Sequence, residues 1–538
     1  MNNRLKKTSV WMPLAIALSL VAGMWIGHTF FNGSGKWSSR SKLDTILELV
    51  DRSYVDEIDT DSLLEASFPG LLSRLDPHSV YIPAKDLQNV NEELGGSFSG
   101  IGISFNLLND SINVLEVISG GPSEKAGLLA GDRIIAINDT VVAGQNWSDV
   151  KVRSSLRGEK GSVVKLTVKR QTSKKPLNFD VVRGDIPLTS VDAAYMVAPK
   201  VGFIKISKFS STTYSEFLTS MMNLVADGAE KFIIDLRGNG GGFMEPAVLM
   251  ANEFLPAGSP IVSMRGKATP DSRPTMSDGS GSFLNNEVVV LIDEISASAS
   301  EIFSGAIQDN DRGLVIGRRS FGKGLVQNQM ELPDSSAIRL TIARYYTPSG
   351  RCIQKTYAPG TDYDRDIVNR YEHGEFYNAD SIKLDKSLAF ETLHGRTVYG
   401  GGGIMPDIFV PNDTTGITSY YLNVLNAGLI QKYTFDYTDR NRSRLDGAKT
   451  AEEILRLIPD DDTILQDFVS YAQKAGVAPR WYYINISRDL IVNQLKAMIA
   501  RNALGVQGYY EVINEVDPTV LSGIESLGNG KAAFPITQ

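Results

Sequence analysis

Residues 288–308 have the sequence VVVLIDEISASASEIFSGAIQ, in which an apolar run is followed by small residues and then by a helical pattern. The apolar run at 288–292 is typical of a buried strand, and residues 301–308 predict a helix. Small residues between them let one side chain stand exposed at a helix N-terminus, where unpaired N–H groups favour developing negative charge. We therefore expect Ser298 to be a nucleophile, although an ordinary helix cap would use the same residue types.

A serine nucleophile needs a base, and Lys323 lies 25 positions further on, in the sequence FGKG. A buried lysine can lose its proton near neutral pH, because desolvation disfavours the ammonium form. Gln327 follows four residues later and is expected to accept a hydrogen bond from the amine and hold it towards Ser298. The four histidines lie in the N-terminal apolar segment or in loop-like contexts, and no G-x-S-x-G motif occurs. A Ser/Lys pair is therefore favoured over a Ser/His pair.

Residues 235–242, DLRGNGGG, end a predicted strand and contain four glycines in five positions. Such a backbone can approach a ligand closely. Backbone N–H groups of this run, together with that of Ala299, are a candidate oxyanion hole. A plain glycine turn or a phosphate loop would have a similar composition, but ligands bind at the carboxyl edge of parallel strands, where this run is predicted to lie.

Residues 317–324, GRRSFGKG, also match the start of the phosphate-binding motif G-x-x-x-x-G-K. Gly324 stands where a magnesium-ligating Ser or Thr is required, and residues 325–333 look extended rather than helical. We therefore expect no nucleotide binding at this site.

Glycine-rich residues 95–105 open a β-rich module that continues through predicted strands at 112–117, 131–138 and 163–170 and a helix at 147–156. This pattern resembles a PDZ domain. The resemblance implies that backbone N–H groups hold a peptide carboxylate and that the peptide adds as a strand beside residues 103–105. The residues of this loop are Gly100, Ile101, Gly102 and Ile103. A glycine-rich hairpin without a ligand is the alternative.

The N-terminus combines Arg4, Lys6 and Lys7 with an apolar run at residues 10–31. A run of about 20 residues is long enough to span a bilayer, and the positive flank predicts that the rest of the chain is exported. We expect an uncleaved anchor in the inner membrane with a periplasmic catalytic part. A cleaved signal peptide, which would make the protein secreted, is the alternative, although no clear A-x-A site is present.

The composition is that of a globular protein, with 42% hydrophobic and 22% charged residues. The formal net charge of −8 argues against a general nucleic-acid-binding surface. The single cysteine, Cys352, excludes an intramolecular disulfide.

Strands alternate with helices after residue 200, which indicates βαβ units and a largely parallel sheet. We predict an α+β multidomain protein with an α/β core, an inserted PDZ domain and helical N- and C-terminal regions. The predicted segments are the tip, anchor and link at 1–41, a helical region at 42–90, the PDZ domain at 91–185, the core at 186–414 and a helical domain at 415–538.

Taken together, these motifs resemble the C-terminal processing peptidases, which are Ser/Lys serine proteases of family S41 with an embedded PDZ domain. The matching segments are 76–79 (DPHS), the PDZ block, 235–239 (DLRGN), 296–302, 308–312, 321–327 (FGKGLVQ) and 346–351. The resemblance implies that Ser298 is the nucleophile, Lys323 the general base and Gln327 the residue that positions the lysine. It also implies oxyanion N–H groups from Ala299 and from Gly241 or Gly242. The chain departs from the family in a longer insertion at 357–396 and in the segment after residue 415.

The expected function is therefore a membrane-anchored endopeptidase that cuts exported proteins near their free C-termini. No cofactor, metal or nucleotide is implied, and the formation of a homo-oligomer is left open. The alternative is a catalytically inactive PDZ scaffold on a protease fold, which the intact Ser298, Lys323 and Gln327 disfavour.

Overall fold

The computed structural model describes residues 5–31, 39–108, 111–118, 120–268, 273–358 and 362–530. The chain divides into two compact units, Met1–Leu75 and Asp76–Gln538. The first unit is helical, as predicted, with α1 (Leu5–Phe31), α2 (Ser39–Ser53) and α3 (Thr60–Leu72). Helix α1 covers the segment expected to anchor the chain. Among the helices of the described residues, none has both the length and the apolar content needed to cross a bilayer.

The second unit begins with strand β1 (Val80–Ile82) and helix α4 (Ala84–Gly95). Strand β1 pairs antiparallel with residues 337–339, far along the chain. The carboxylate of Asp76 fixes the loop before β1, because it accepts hydrogen bonds from the N–H groups of His78 and Ser79 and from Thr341 Oγ1. The region predicted to be helical thus also contributes a strand that pairs with the core.

A β-rich module follows, in agreement with the predicted inserted domain. Its elements are β2 (Ser97–Gly100), β3 (Ile103–Leu108), β4 (Ser111–Val117), α5 (Pro122–Ala126), β5 (Arg133–Ile137), β6 (Thr140–Val141), α6 (Asp149–Leu156), β7 (Val163–Lys169), β8 (Leu177–Val182) and β9 (Gly184–Pro187). Strands β2 and β9 pair antiparallel, so the chain enters and leaves the module side by side. The other strands form a sheet in the order β3-β4-β5-β7-β8, with β6 on β5, which leaves β3 at an edge.

The central part of the chain alternates strands and helices. Its elements are β10 (Val191–Ala198), β11 (Val201–Ile206), α7 (Thr213–Ala226), β12 (Lys231–Asp235), α8 (Met244–Asn252), β13 (Pro260–Gly266), β14 (Thr275–Met276), β15 (Glu287–Ile292), α9 (Ala299–Asp309), β16 (Leu314–Gly317), β17 (Leu325–Glu331), β18 (Ala337–Tyr346), α10 (Asp366–Glu372), β19 (Ala389–Glu391), β20 (Thr397–Tyr399) and β21 (Ile408–Phe409). Short 3₁₀ turns lie at Ala379–Ser381 and Lys386–Leu388.

Six of these strands form the central sheet, in the order β10-β11-β12-β15-β16-β21. Only the β10–β11 pair is antiparallel, so the predicted parallel arrangement is confirmed. The carboxyl ends of β12 and β15 therefore meet at one edge, and the segments that follow them lie next to each other. A second sheet contains β18 at its centre, with β17 on one side and β1 and β13 on the other.

The C-terminal segment is helical. Its elements are α11 (Ser419–Asn426), α12 (Leu429–Arg440), α13 (Arg442–Leu445), α14 (Ala451–Leu457), α15 (Asp461–Lys474), α16 (Trp481–Ile486), α17 (Arg488–Leu504), α18 (Val506–Ile513) and α19 (Pro518–Gly528). Helices α11 to α18 share one apolar cluster. Helix α19 leaves that cluster, because its buried Val520 and Leu527 pack on the central sheet.

Side chains of the central sheet alternate between two faces, as the pleat of a strand requires. On one face, residues such as Ile234 and Val290 pack with α7, α8 and α9. On the other, Ile233 and Val289 pack with Val520 of α19. Helix α19 therefore completes a three-layer core.

Candidate active site

Ser298 lies at the turn between β15 and α9, with φ of 56° and ψ of −113°. A positive φ is unfavourable for a residue with a side chain, and such strain is concentrated at functional sites. Ala299, the first residue of α9, has an N–H that no described residue accepts. The turn therefore presents Ser298 and a free N–H at a helix N-terminus, as the sequence predicts.

The fully buried carboxylate of Glu301 connects this turn to the loop that carries Lys323. Its Oε2 accepts hydrogen bonds from the N–H groups of Ser298 at 2.8 Å and Lys323 at 2.9 Å. Its Oε1 accepts from Ser320 Oγ at 2.6 Å and from the N–H of Gly322 at 2.7 Å. Burial raises the pKa of Glu301, and these four donors oppose that rise. One carboxylate thus holds both candidate catalytic segments by their backbones.

The amine of Lys323 donates to Gln327 Oε1 at 3.1 Å. Burial lowers the pKa of Lys323 from its ordinary value of 10.5, and the charge of Arg339 lowers it further, while the carboxylates of Glu301 and Asp76 act in the opposite direction. Gln327 lies at an irregularity in the pairing of β17 with β18. The structure therefore brings Lys323 and Gln327 into the contact that the sequence predicts.

The amide nitrogen of Gln327 is also held in place, because it donates a hydrogen bond to the carbonyl oxygen of His78. The imidazole of His78 lies with Nε2 2.8 Å from Tyr363 Oη. Burial and the nearby charge of Lys323 lower the pKa of His78 to about 4. His78 is therefore neutral near pH 7, and its backbone oxygen orients Gln327.

The glycine turn at 238–242 packs directly on Ser298. A Cβ at Gly241 would lie 2.7 Å from Ser298 Cβ, so only glycine fits there. Asn239 joins the two turns, because its carbonyl oxygen accepts from Ala297 N–H at 3.0 Å and from Ser300 Oγ at 2.9 Å. The Asn239 side chain in turn accepts from Gly241 N–H at 2.8 Å.

This last contact bears on the predicted oxyanion hole. Of the two N–H groups proposed from the sequence, that of Ala299 is free, whereas that of Gly241 is already donated to Asn239. In the part of the chain that the structure describes, no group accepts from the N–H of Gly242, the alternative that the sequence left open. Of the three N–H groups that the sequence proposes, those of Ala299 and Gly242 are thus available in this conformation.

Ser298, Lys323 and Gln327 line one cleft of about 770 Å³. Its wall also contains residues of α4, the glycine turn and the second sheet. These are Asn91, Gly95, Gly240, Gly241, Gly242, Phe243, Met244, Ala299, Ile302, Leu325, Val326, Asn328, Gln329, Arg339 and Tyr345. The cleft therefore combines a serine, an amine of lowered pKa, free N–H groups and room for an extended peptide.

Several residues that hold the site carried no predicted role. Glu301 was detectable as the fourth residue of a Ser-x-x-Glu capping pattern that starts at Ser298. Tyr345, whose Oη lies 3.1 Å from the Ser298 carbonyl oxygen and 2.8 Å from that of Lys323, had no such signal. Across the described residues, no three or more metal-binding side chains lie close enough to share an ion.

The loop predicted to bind a peptide carboxylate precedes the edge strand β3. The N–H groups of Ile101 and Gly102 have no acceptor among the described residues, and Gly102 has a φ of 74°. Because Ile118 N–H donates to the Gly102 carbonyl oxygen, Ile103 and Val117 form a non-hydrogen-bonded pair. The N–H of Ile103 therefore points to the free edge. By contrast, Gly100 pairs with Gly184 in the ladder of β2 and β9.

Comparisons with known proteins agree with this architecture. The model of peptidase family S41 matches residues 200–367, which include Ser298, Lys323 and Gln327. The PDZ domain model matches residues 99–181, and a family of unknown function, DUF8443, matches residues 420–505. Helix α19 lies beyond all three matches.

Two curated relatives are carboxy-terminal processing proteases. That of Bartonella bacilliformis is 34% identical over 390 residues, which cover 71% of this chain and 86% of that protein. CtpB of Bacillus subtilis is 34% identical over 319 residues, which cover 58% of this chain and 65% of that protein. Among solved structures, the photosystem II D1 C-terminal processing protease matches with a TM-score of 0.34 and 24% identity, over 68% of this chain and 91% of that one.

The lowered pKa of Lys323 predicts a pH-dependent stability. Between the lowered pKa and the ordinary value of 10.5, the unfolded chain binds a proton that the folded chain does not. The free energy of unfolding therefore rises with pH in this window, by up to about 1.4 kcal/mol per pH unit. We expect Lys323→Met to remove this rise, as measured by urea unfolding at a series of pH values.

Lys449→Met, at an exposed lysine, serves as the matched control and should keep the wild-type dependence on pH. An unchanged pH dependence in Lys323→Met would contradict a lowered pKa at this position.

Proposed function

The chain belongs to the carboxy-terminal processing proteases of peptidase family S41, and we propose that it is an endopeptidase that cuts polypeptides near their C-termini with a Ser298/Lys323 dyad. The observation that carries the proposal is the shared cleft. In it, a serine on a strained turn lines the same space as a partly buried lysine of lowered pKa. A serine-type peptidase needs a nucleophile and a general base, and these two groups can supply both roles.

In the proposed first step, the neutral amine of Lys323 takes the proton of Ser298 Oγ while the oxygen attacks the scissile carbonyl carbon. The oxyanion that forms is stabilised by the N–H of Ala299 and by an N–H of the glycine turn. The lysine then gives its proton to the leaving amine as the C–N bond breaks. Gln327, fixed between His78 and Lys323, keeps the amine directed into the cleft.

In the second step, water attacks the acyl-enzyme ester and Lys323 takes one of its protons. The lysine returns that proton to Ser298 Oγ as the ester bond breaks, which regenerates the free enzyme. No observation favours the alternative of an inactive scaffold, since each group that the reaction needs lines the cleft.

Ser298→Ala tests the nucleophile. We expect it to abolish cleavage of an unfolded protein such as β-casein, because a dyad that loses its nucleophile loses several orders of magnitude in rate. The thermal midpoint should stay close to that of the wild type. Ser304→Ala is the matched control. Ser304 lies buried in α9, the helix that follows Ser298, and its Oγ donates to the Ser300 carbonyl oxygen. Cleavage by Ser298→Ala at the wild-type rate would reject the assignment.

We propose that the PDZ module binds the free C-terminus of the substrate. The N–H groups of Ile101 and Gly102 would receive the carboxylate, and the peptide would extend along β3. Helix α6 flanks this edge, since the Arg153 guanidinium lies over the Phe105 ring with 5.5 Å to the centroid. The main-chain contacts are those of a peptide that adds to an exposed sheet edge.

Calorimetry on the full-length Ser298→Ala variant tests this module without cleavage. A peptide with an apolar last residue and a free carboxylate should bind at least about tenfold more tightly than its C-terminal amide, since hydrogen bonds to a charged group contribute about 1.5–3 kcal/mol. Equal binding of the acid and the amide would leave the module without its proposed role.

The location remains the one proposed from the sequence. Arg4, Lys6 and Lys7 before the apolar run at 10–31 favour export of the catalytic part, through either an anchor or a cleaved signal peptide. Recovery of the active protein in the cytoplasmic fraction of cells would contradict this proposal.

A further inference from the structure

Arg237, the residue that directly precedes the glycine turn, is held by two carboxylates. Its Nε and Nη2 donate to Asp235. Its Nη1 donates to both oxygens of Asp517, at 3.0 and 2.8 Å. Asp517 lies 280 positions later in the sequence, at the start of α19. Helix α19 is thus bonded to the segment that forms the wall of the cleft beside Ser298.

A second cation, Lys205, lies beside Arg237 and Asp235. Lys205 also contacts Asp235 and donates to the Arg237 carbonyl oxygen, so two cations share two carboxylates. Although burial raises it, the pKa of Asp235 is held at about 2 by the charges of Arg237 and Lys205. Asp235 is 1% exposed and Asp517 is 22% exposed. Removal of the Asp517 charge would leave the Nη1 side of the Arg237 guanidinium without its carboxylate in a poorly solvated position.

Helix α19 is fixed along β12 at both of its ends. At its start, Asp517 binds Arg237, which follows the end of β12. At its end, the Leu527 carbonyl oxygen accepts from Lys231 Nζ at 2.7 Å, at the beginning of β12. Between them, Gly523 packs so closely that a Cβ there would lie 3.1 Å from Ile233 Cδ1. Helix α19 therefore contacts β12 along its length and reaches the residue that precedes the glycine turn.

We propose that Asp517 is a positioning residue for the peptidase reaction, which acts through Arg237 to set the glycine turn at 238–242 against Ser298. Helix α19 is then a part of the active-site architecture, although it lies outside the matched peptidase, PDZ and DUF8443 segments. This inference rests on the proposed function, because the turn matters for catalysis only if it supplies an oxyanion donor.

The test compares two Asp→Asn variants at helix N-caps. Asn caps a helix as well as Asp does, so Asp517→Asn can keep the cap of Oδ1 to Thr519 and Val520, while it removes the charge and one of the two oxygens that accept from Arg237. Asp460→Asn is the matched control, because Asp460 caps α15 through Thr463 N–H on the surface. Both variants are full-length proteins, and β-casein is the substrate.

We expect Asp517→Asn to lower kcat by about tenfold to a hundredfold with little change in KM, because loss of a whole oxyanion donor costs about 10²–10³ in rate. Asp460→Asn should keep the wild-type kcat, and all rates are measured well below the thermal midpoint of Asp517→Asn, where that variant is fully folded. An unchanged kcat in Asp517→Asn, or a fall fully explained by a loss of folded protein, would overturn the proposal.

Amide hydrogen exchange of residues 238–244 gives a second readout that does not depend on cleavage. Exchange there should be faster in Asp517→Asn than in wild type and Asp460→Asn, and equal rates would also overturn the proposal. If the wild type does not cleave β-casein, the proposed peptidase function fails on that substrate, and the exchange rates alone decide the positioning role.

Discussion

The buried carboxylate of Glu301 is the interaction on which the candidate site depends. A charged group removed from water costs several kcal/mol unless hydrogen bonds replace the lost solvation, and four donors surround this one. Two of them are the N–H groups of Ser298 and Lys323. The need to satisfy one buried anion therefore fixes the distance between two segments that the chain brings together from different elements.

The same carboxylate also acts on the pKa of Lys323, the proposed base. Burial favours the neutral amine of Lys323, and the charge of Arg339 acts in the same direction, whereas Glu301 and Asp76 stabilise the ammonium form. A group that takes a proton in one step and returns it in the next works best when neither form is strongly preferred. Burial and Arg339 lower the pKa of Lys323 towards this condition, and the two acidic neighbours limit the shift.

The fold and the position of Ser298 before a helix were predictable, because they depend on local patterns. The apolar run at 288–292 and the small residues after it appear as β15 and the turn to α9, and the parallel sheet follows from the alternation of strands and helices. The hydrogen bond between Lys323 and Gln327 was predictable from their spacing of four residues. The contacts between distant segments could not be predicted in this way. No local signal indicated that the His78 carbonyl oxygen would orient Gln327, or that Asp517 would bind Arg237.

The claim that Lys323 acts as the base is tested most directly by the pH–rate profile of Lys323→Arg beside that of the wild type. An arginine keeps the positive charge but does not deprotonate in a protein. If Lys323 is the base, wild-type activity rises with pH as Lys323 loses its proton. Folded Lys323→Arg then shows no cleavage above the Ser298→Ala background at any pH. Cleavage by Lys323→Arg within about tenfold of the wild-type rate would contradict the account, since a side chain that stays charged cannot take the proton of Ser298.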